Sequence, residues 1–180
     1  VPAVLRLCLD LNIWCAAFIA DCRGRQGTSA QMLTEAVREG HCPLGPVQLI
    51  VSWGMLDRLR KVFVHDWRVD PETTDRLIEA ITRCAALGPD GGGPALTLGG
   101  AGLMPLADSE DAHVLDTAIA GDADIVATAN IRDFLTRGAD VLEPDSLASL
   151  RSPKGRLLIA HPFTMRRWFL AGRIELPAPH

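Results

Sequence analysis

The stretch RLCLDLNIW, residues 6–14, runs apolar and then sets Asp10 and Asn12 close together. Taken from residue 4, VLRLCLD is too continuously apolar for a half-exposed strand and predicts one buried on both faces. NIWCAAFIADC (12–22) follows with helical spacing. A buried strand feeding directly into a helix is the opening of a β–α unit, and it points to an α/β fold. The same stretch poses a chemical question. Burying a neutral polar group without a partner costs about 2–7 kcal/mol, and a charge costs more. Asp10 therefore either caps the helix or faces a cation.

The β–α alternation continues along the chain. RGRQGT (23–28) reads as a turn and SAQMLTEAVREG (29–40) as a helix. VQLIVS (47–52) is a second short buried strand, and WGMLDRLRKVFVHDW (53–67) a helix with Leu56, Leu59, Val62 and Phe63 on one face. Pro71 opens another helix that Gly88 ends. The glycine-rich stretch 88–102 lacks the spacing of a phosphate-binding loop and reads as a connector. GLMPLAD (102–108) predicts a short strand, residues 108–121 a helix, and DADIVATA (122–129) and ADVLEP (139–144) two further strands. Strands alternating with helices at this spacing predict an α/β fold with a mainly parallel central sheet.

With 180 residues, 48% of them apolar and 22% charged, the chain has the means for one ordinary core. The expected division is a domain over residues 1–150 and a basic extension over 151–180 with one helix at 162–171. No apolar run reaches the roughly 18–20 residues of a membrane span, and no leader peptide is read, so a cytoplasmic location is expected. Cys8, Cys15, Cys22, Cys42 and Cys84 show no CxxC pair; they are read as small buried apolar residues rather than zinc ligands or disulfides. Net charge is −4, yet residues 151–180 carry six basic residues against Glu175 alone. Such a tail serves phosphate, the acidic body or only the solvent.

In an open parallel sheet, ligands bind outside the carboxyl ends of the strands. Three such corners here carry acids: Asp10 with Asn12; Asp108, Glu110 and Asp111; and Thr128, Asn130 and Asp133. Each taken singly reads as a helix cap. Together they read as oxygen ligands for a hard divalent cation, Mg²⁺ or Mn²⁺, of the kind that activates water against a phosphodiester. No histidine, serine or cysteine arrangement offers a covalent nucleophile instead.

LCLDLNIW, followed much later by DSEDAHVLDTAIAGDADIVATANIRDF (108–134), resembles the PIN-domain family, the ribonuclease fold of VapC-type toxins. The resemblance covers roughly residues 4–150. It implies a small three-layer α/β/α sandwich around a mainly parallel central sheet, whose acidic pocket binds Mg²⁺ or Mn²⁺ and hydrolyses RNA. In VapC-type members, a cognate antitoxin from the neighbouring gene blocks the pocket, and PIN domains commonly pair as homodimers. By position, Asp10 matches the first family acid and Asp111 the third. The fourth position holds Asn130, leaving Asp133, three residues on, as the compensating acid. Asn12 and Thr128 join Asn130 as residues that contact substrate.

The second family acid is missing. SWGMLDRL (52–59) sets Arg58 at that position. At about 100° per residue, Arg58 lies on the flank of the apolar face and Asp57 nearly opposite the core. Arg58 is therefore expected to ion-pair with Asp10 or Asp111, or to clamp a phosphate. Two functions follow. One is a metal-dependent endoribonuclease, a toxin, with Asp10, Asp111 and Asp133 at the metal. The other is a PIN-like module with too few carboxylates for catalysis, kept to bind RNA or a protein.

Overall fold

Leu7, Cys8 and Leu9 have no exposed surface in the first strand, β1 (Leu5–Leu9), as its unbroken apolar run demands. The computed structural model describes residues 4–86, 96–97, 109–135, 138–153 and 155–177, with the backbone alone at 96–97 and 109–111. β1 pairs in parallel with β3 (Gly45–Ser52) on one side and β5 (Ile125–Ala127) on the other. β5 in turn pairs in parallel with β8 (Gly155–Ala160). Central strands covered on both faces have no need of alternating polarity, which is why these segments are apolar throughout.

Antiparallel strands extend both sides. β2 (His41–Cys42) lies on β3, while β7 (Leu147–Ser152) and then β6 (Ala139–Glu143) lie beyond β8. The order is β2-β3-β1-β5-β8-β7-β6, with β4 (Leu96–Thr97) adding a short parallel pair to β3. The sheet is mixed, with a parallel centre flanked by helices, as expected of the α/β class.

The helices follow their sequence signals closely. α1 (Leu11–Cys22) follows β1 without a loop. α2 (Ser29–Glu39) opens on a capping box, in which Thr28 Oγ1 accepts from Gln31 N and Gln31 Oε1 accepts from Thr28 N. It closes on Gly40 at φ 64°, a left-handed turn that glycine adopts without strain. α3 (Trp53–Lys61) starts where Ser52 Oγ accepts from Met55 N. α4 (Pro71–Ala86) begins at its proline and buries Ile81 and Ala85. α5 (Ser109–Ala120) and α6 (Pro162–Ala171) complete the set.

Three expectations need correction. The helix expected over 53–67 is α-helical only to Lys61; Val62–Asp66 forms a π-helical turn, with Trp67 N donating to Val62 O at 3.1 Å. The wider turn aims Phe63 and Trp67 at Phe18, with ring centroids 4.8 and 6.2 Å from it. Cys22 is exposed, so not every cysteine is a buried apolar filler. The third concerns the C-terminal stretch. Its helix stands at residues 162–171 as expected, but the boundary at 150 falls inside β7, and LLIA (157–160) is a strand buried at the centre of the sheet. The glycine-rich segment and the strand expected at 102–108 lie outside the described residues, except for β4.

Two polar ties hold the frame. Arg6 donates from Nε and Nη2 to Gly121 O at 3.1 and 2.6 Å, and from Nε to Asp122 O at 3.1 Å. These carbonyls lie just past α5, where the helix leaves them without partners of its own. Gln48 Nε2 donates to Ala85 O at 3.0 Å and ties α4 to β3. The basic tail is used partly on the body, with Arg166 donating to Gly27 O at 2.6 Å and Arg167 pairing with Glu143 at 3.0 Å. Among the described residues, no helix is long and apolar enough to cross a membrane.

Candidate active site

Parallel register brings four strand ends into one row. Leu9 stands opposite Ala127, and Ala127 opposite Ala160, so the next residues in line are Asp10, Thr128 and His161. Ser52, the last residue of β3, completes the row beside β1. The backbone confirms the alignment: Asp10 N donates to Ala127 O at 3.0 Å and Thr128 N to Ala160 O at 3.1 Å.

Asp10 is 6% exposed and sits at the N-cap position of α1, yet its side chain makes no capping hydrogen bond. Instead, its Oδ2 accepts from Thr128 Oγ1 at 2.7 Å and from Asn12 Nδ2 at 2.6 Å. Thr128 gives its one proton to Asp10; its lone pairs take Asn12 Nδ2 at 3.1 Å and Asn130 N at 3.0 Å. Asn12 Oδ1 accepts from Ala129 N at 3.2 Å, which settles which end of that amide faces the carboxylate. Asn130 Nδ2 donates to Asp133 Oδ2. The network runs from wholly buried Thr128 to exposed Asn130 and Asp133, so the pocket opens to solvent at the Asp133 end.

Burial pushes the Asp10 carboxyl above its ordinary range. The Thr128 hydrogen bond and the first amides of α1 pull it part of the way back, and the charge of Asp133 pushes it up again. A divalent cation near two such carboxylates offsets both costs, so the hard oxygen donors present fit Mg²⁺ or Mn²⁺. Among the described residues, no group of three His, Cys, Asp or Glu gathers into a metal cluster. Asp111 lies by its backbone in the first turn of α5, and its side chain, like those of Asp108 and Glu110, is outside the described residues.

A second network anchors that helix at the same sheet edge. Ser52 Oγ accepts from Met55 N at 3.2 Å and from Thr117 Oγ1 at 3.0 Å, which fills its lone pairs. The same Oγ lies 3.1 Å from His113 Nε2, within hydrogen-bond distance. Gly54 leaves room for this ring. A Cβ there would stand 2.8 Å from His113 Cε1 and nearer still to Nε2.

The structure thus joins Asp10, Asn12, Thr128, Asn130 and Asp133. Thr128, read as a substrate contact, is buried and donates to Asp10. Arg58 is exposed in the last turn of α3 and engaged in an interaction of its own, while Asp57 points away from the core to pair with Lys61 at 2.6 Å. Sequence reasoning missed His161, although RLLIAH (156–161) repeats the pattern of LCLD, a buried strand ending on a polar residue.

A family model described as the PIN domain matches residues 6–132, from β1 to Arg132, the residue before Asp133. No curated protein and no solved structure matches the chain. PIN domains are generally metal-dependent nucleases that use Mg²⁺ or Mn²⁺. With the match covering most of its length and an acid at the end of β1, the chain belongs to the PIN-domain family.

Proposed function

We propose that the chain is a metal-dependent endoribonuclease, the toxin of a toxin–antitoxin pair. The observation that carries this reading is the Asp10 carboxylate, buried at the carboxyl edge of the sheet and held by Asn12 and Thr128 beside Asp133. Asp10, Asp111 and Asp133 are the residues that would hold Mg²⁺ or Mn²⁺. A bound ion of this kind would activate the attacking water and offset charge on the phosphodiester. Asn12 and Thr128 keep Asp10 in one rotamer, and Asn130 holds Asp133. Arg58 is assigned to the scissile phosphate, a role suited to a planar guanidinium.

The partners that accompany this reading are single-stranded RNA, an antitoxin that covers the pocket, and a second copy of the chain. Incubation of the purified protein with single-stranded RNA and Mn²⁺ tests it. Cleavage lost in Asp10→Asn supports the reading, and its absence in the native chain refutes it. Growth arrest on expression, relieved by the same substitution, tests the toxin assignment. One observation favours a second reading, a binding module without catalysis: Arg58 stands where the family carries an acid. Binding of RNA without cleavage at any Mn²⁺ concentration would select that reading.

A further inference from the structure

A groove of about 430 Å³ runs beside the acidic pocket, between α1, the start of α2 and the start of α6. Its walls include Ile13, Arg25, Ser29, Ala129, His161 and Phe163. It continues the site already described. Ala129, whose amide holds Asn12, is part of its wall, and His161 is the next strand end after Thr128. At roughly 4.8 Å per strand, His161 lies about 10 Å from Asp10 along the row.

The groove has two kinds of wall. One is aromatic: Phe163 is 72% exposed and its ring meets that of His161 at 4.9 Å and 51°. The other is polar. His161 Nδ1 accepts from Phe163 N at 3.2 Å, so the proton of the neutral ring lies on Nε2 as a donor. The Ser29 hydroxyl is buried and has no hydrogen-bond partner. Arg25 supplies a cation, and Arg166, bonded to Gly27 O at 2.6 Å, ties the loop carrying it to α6.

From these features we propose that the groove is a base-stacking subsite for single-stranded RNA, taking the unstacked nucleobase next to the phosphodiester at Asp10, with Phe163 as its platform. The inference deepens the nuclease reading and rests on it for the position of the scissile bond. An aromatic face accepts any base, while His161 Nε2–H meets its edge and Arg25 its phosphate. A base held within a duplex cannot enter, so the groove selects single strands.

The test is anisotropy of a labelled ten-nucleotide single-stranded RNA in EDTA, followed by cleavage of the same RNA in Mn²⁺. Phe163→Ala is expected to weaken binding on the order of tenfold and to raise KM more than it lowers kcat. Phe163→Trp is expected to restore both, and Leu170→Ala, 80% exposed on the same helix but outside the groove, to change neither. Native binding and cleavage by Phe163→Ala overturn the proposal and leave the nuclease reading standing. Competition by duplex RNA as strong as by single strands also overturns it. Binding in EDTA that depends on Phe163 in a chain that never cleaves upholds the subsite and refutes the nuclease. A native chain that neither binds nor cleaves refutes both.

Discussion

Thr128 donates its hydroxyl proton to Asp10 Oδ2 at 2.7 Å and so joins the ends of two neighbouring parallel strands 118 residues apart. Thr128→Val keeps the shape and removes the bond. It strips Asp10 Oδ2 of one of its two side-chain donors and leaves the Asn130 amide and Asn12 short of an acceptor. Hydrogen bonds to charged groups are worth about 1.5–3 kcal/mol. A loss of that order in urea unfolding, together with weaker Mn²⁺ binding by calorimetry, is the expected outcome.

Asp10 places a pH dependence on stability. Its carboxyl is held above the ordinary value of 3.8, by burial first and then by Asp133. The folded chain thus keeps a proton that the unfolded chain has lost between 3.8 and the raised folded value, and stability falls as pH rises through that window. Above it the cost is complete and constant. Asp10→Asn removes the cost while keeping an oxygen for Thr128 and Asn12. The metal-free variant should melt above the native protein at pH 7, by about 2–4 °C per kcal/mol relieved. The gap should close as pH falls below 3.8. Equal melting at pH 7 would mean that the buried charge costs nothing.

Gly54 is needed as glycine because of His113. Alanine would gain about 1 kcal/mol of helix propensity, but its Cβ would overlap the ring that Ser52 holds. Overpacking of this kind costs about 1–3 kcal/mol. Gly54→Ala is expected to be net destabilising in urea and to change the nitrogen shifts of His113 as its bond to Ser52 breaks. An unchanged His113 spectrum would show that the ring has room elsewhere.

Arg6 works at the opposite end of β1, closing the carbonyls after α5. Arg6→Met keeps the length of the side chain and loses its hydrogen bonds. The expected cost is about 1–3 kcal/mol in urea, with RNA cleavage per folded molecule unaltered. A matching loss of cleavage would instead show that the α5–β5 turn controls the pocket.

Much of this was legible in the chain because burial and backbone chemistry act locally. LCL and DIVA are apolar on both faces, which only a covered strand tolerates, and Thr28, Gly40, Pro162 and Gly172 mark helix ends by their own conformational preferences. Asp10, Asn12, Thr128, Asn130 and Asp133 were legible as polar residues at strand ends. The strand at Gly155–Ala160 was less so, since LLIA between a basic turn and a helix is too short for periodicity to type.

The sequence by itself determined the β–α alternation, the chain's PIN-type motifs and the acids available to its pocket. Only the tertiary structure decided that Asp10 is held by Thr128 rather than capping α1, that His161 stands in the same row, and that Ser52 fastens α5 through His113. Strand order and register set these contacts, and both are settled by packing between segments far apart in the chain, which no local preference encodes.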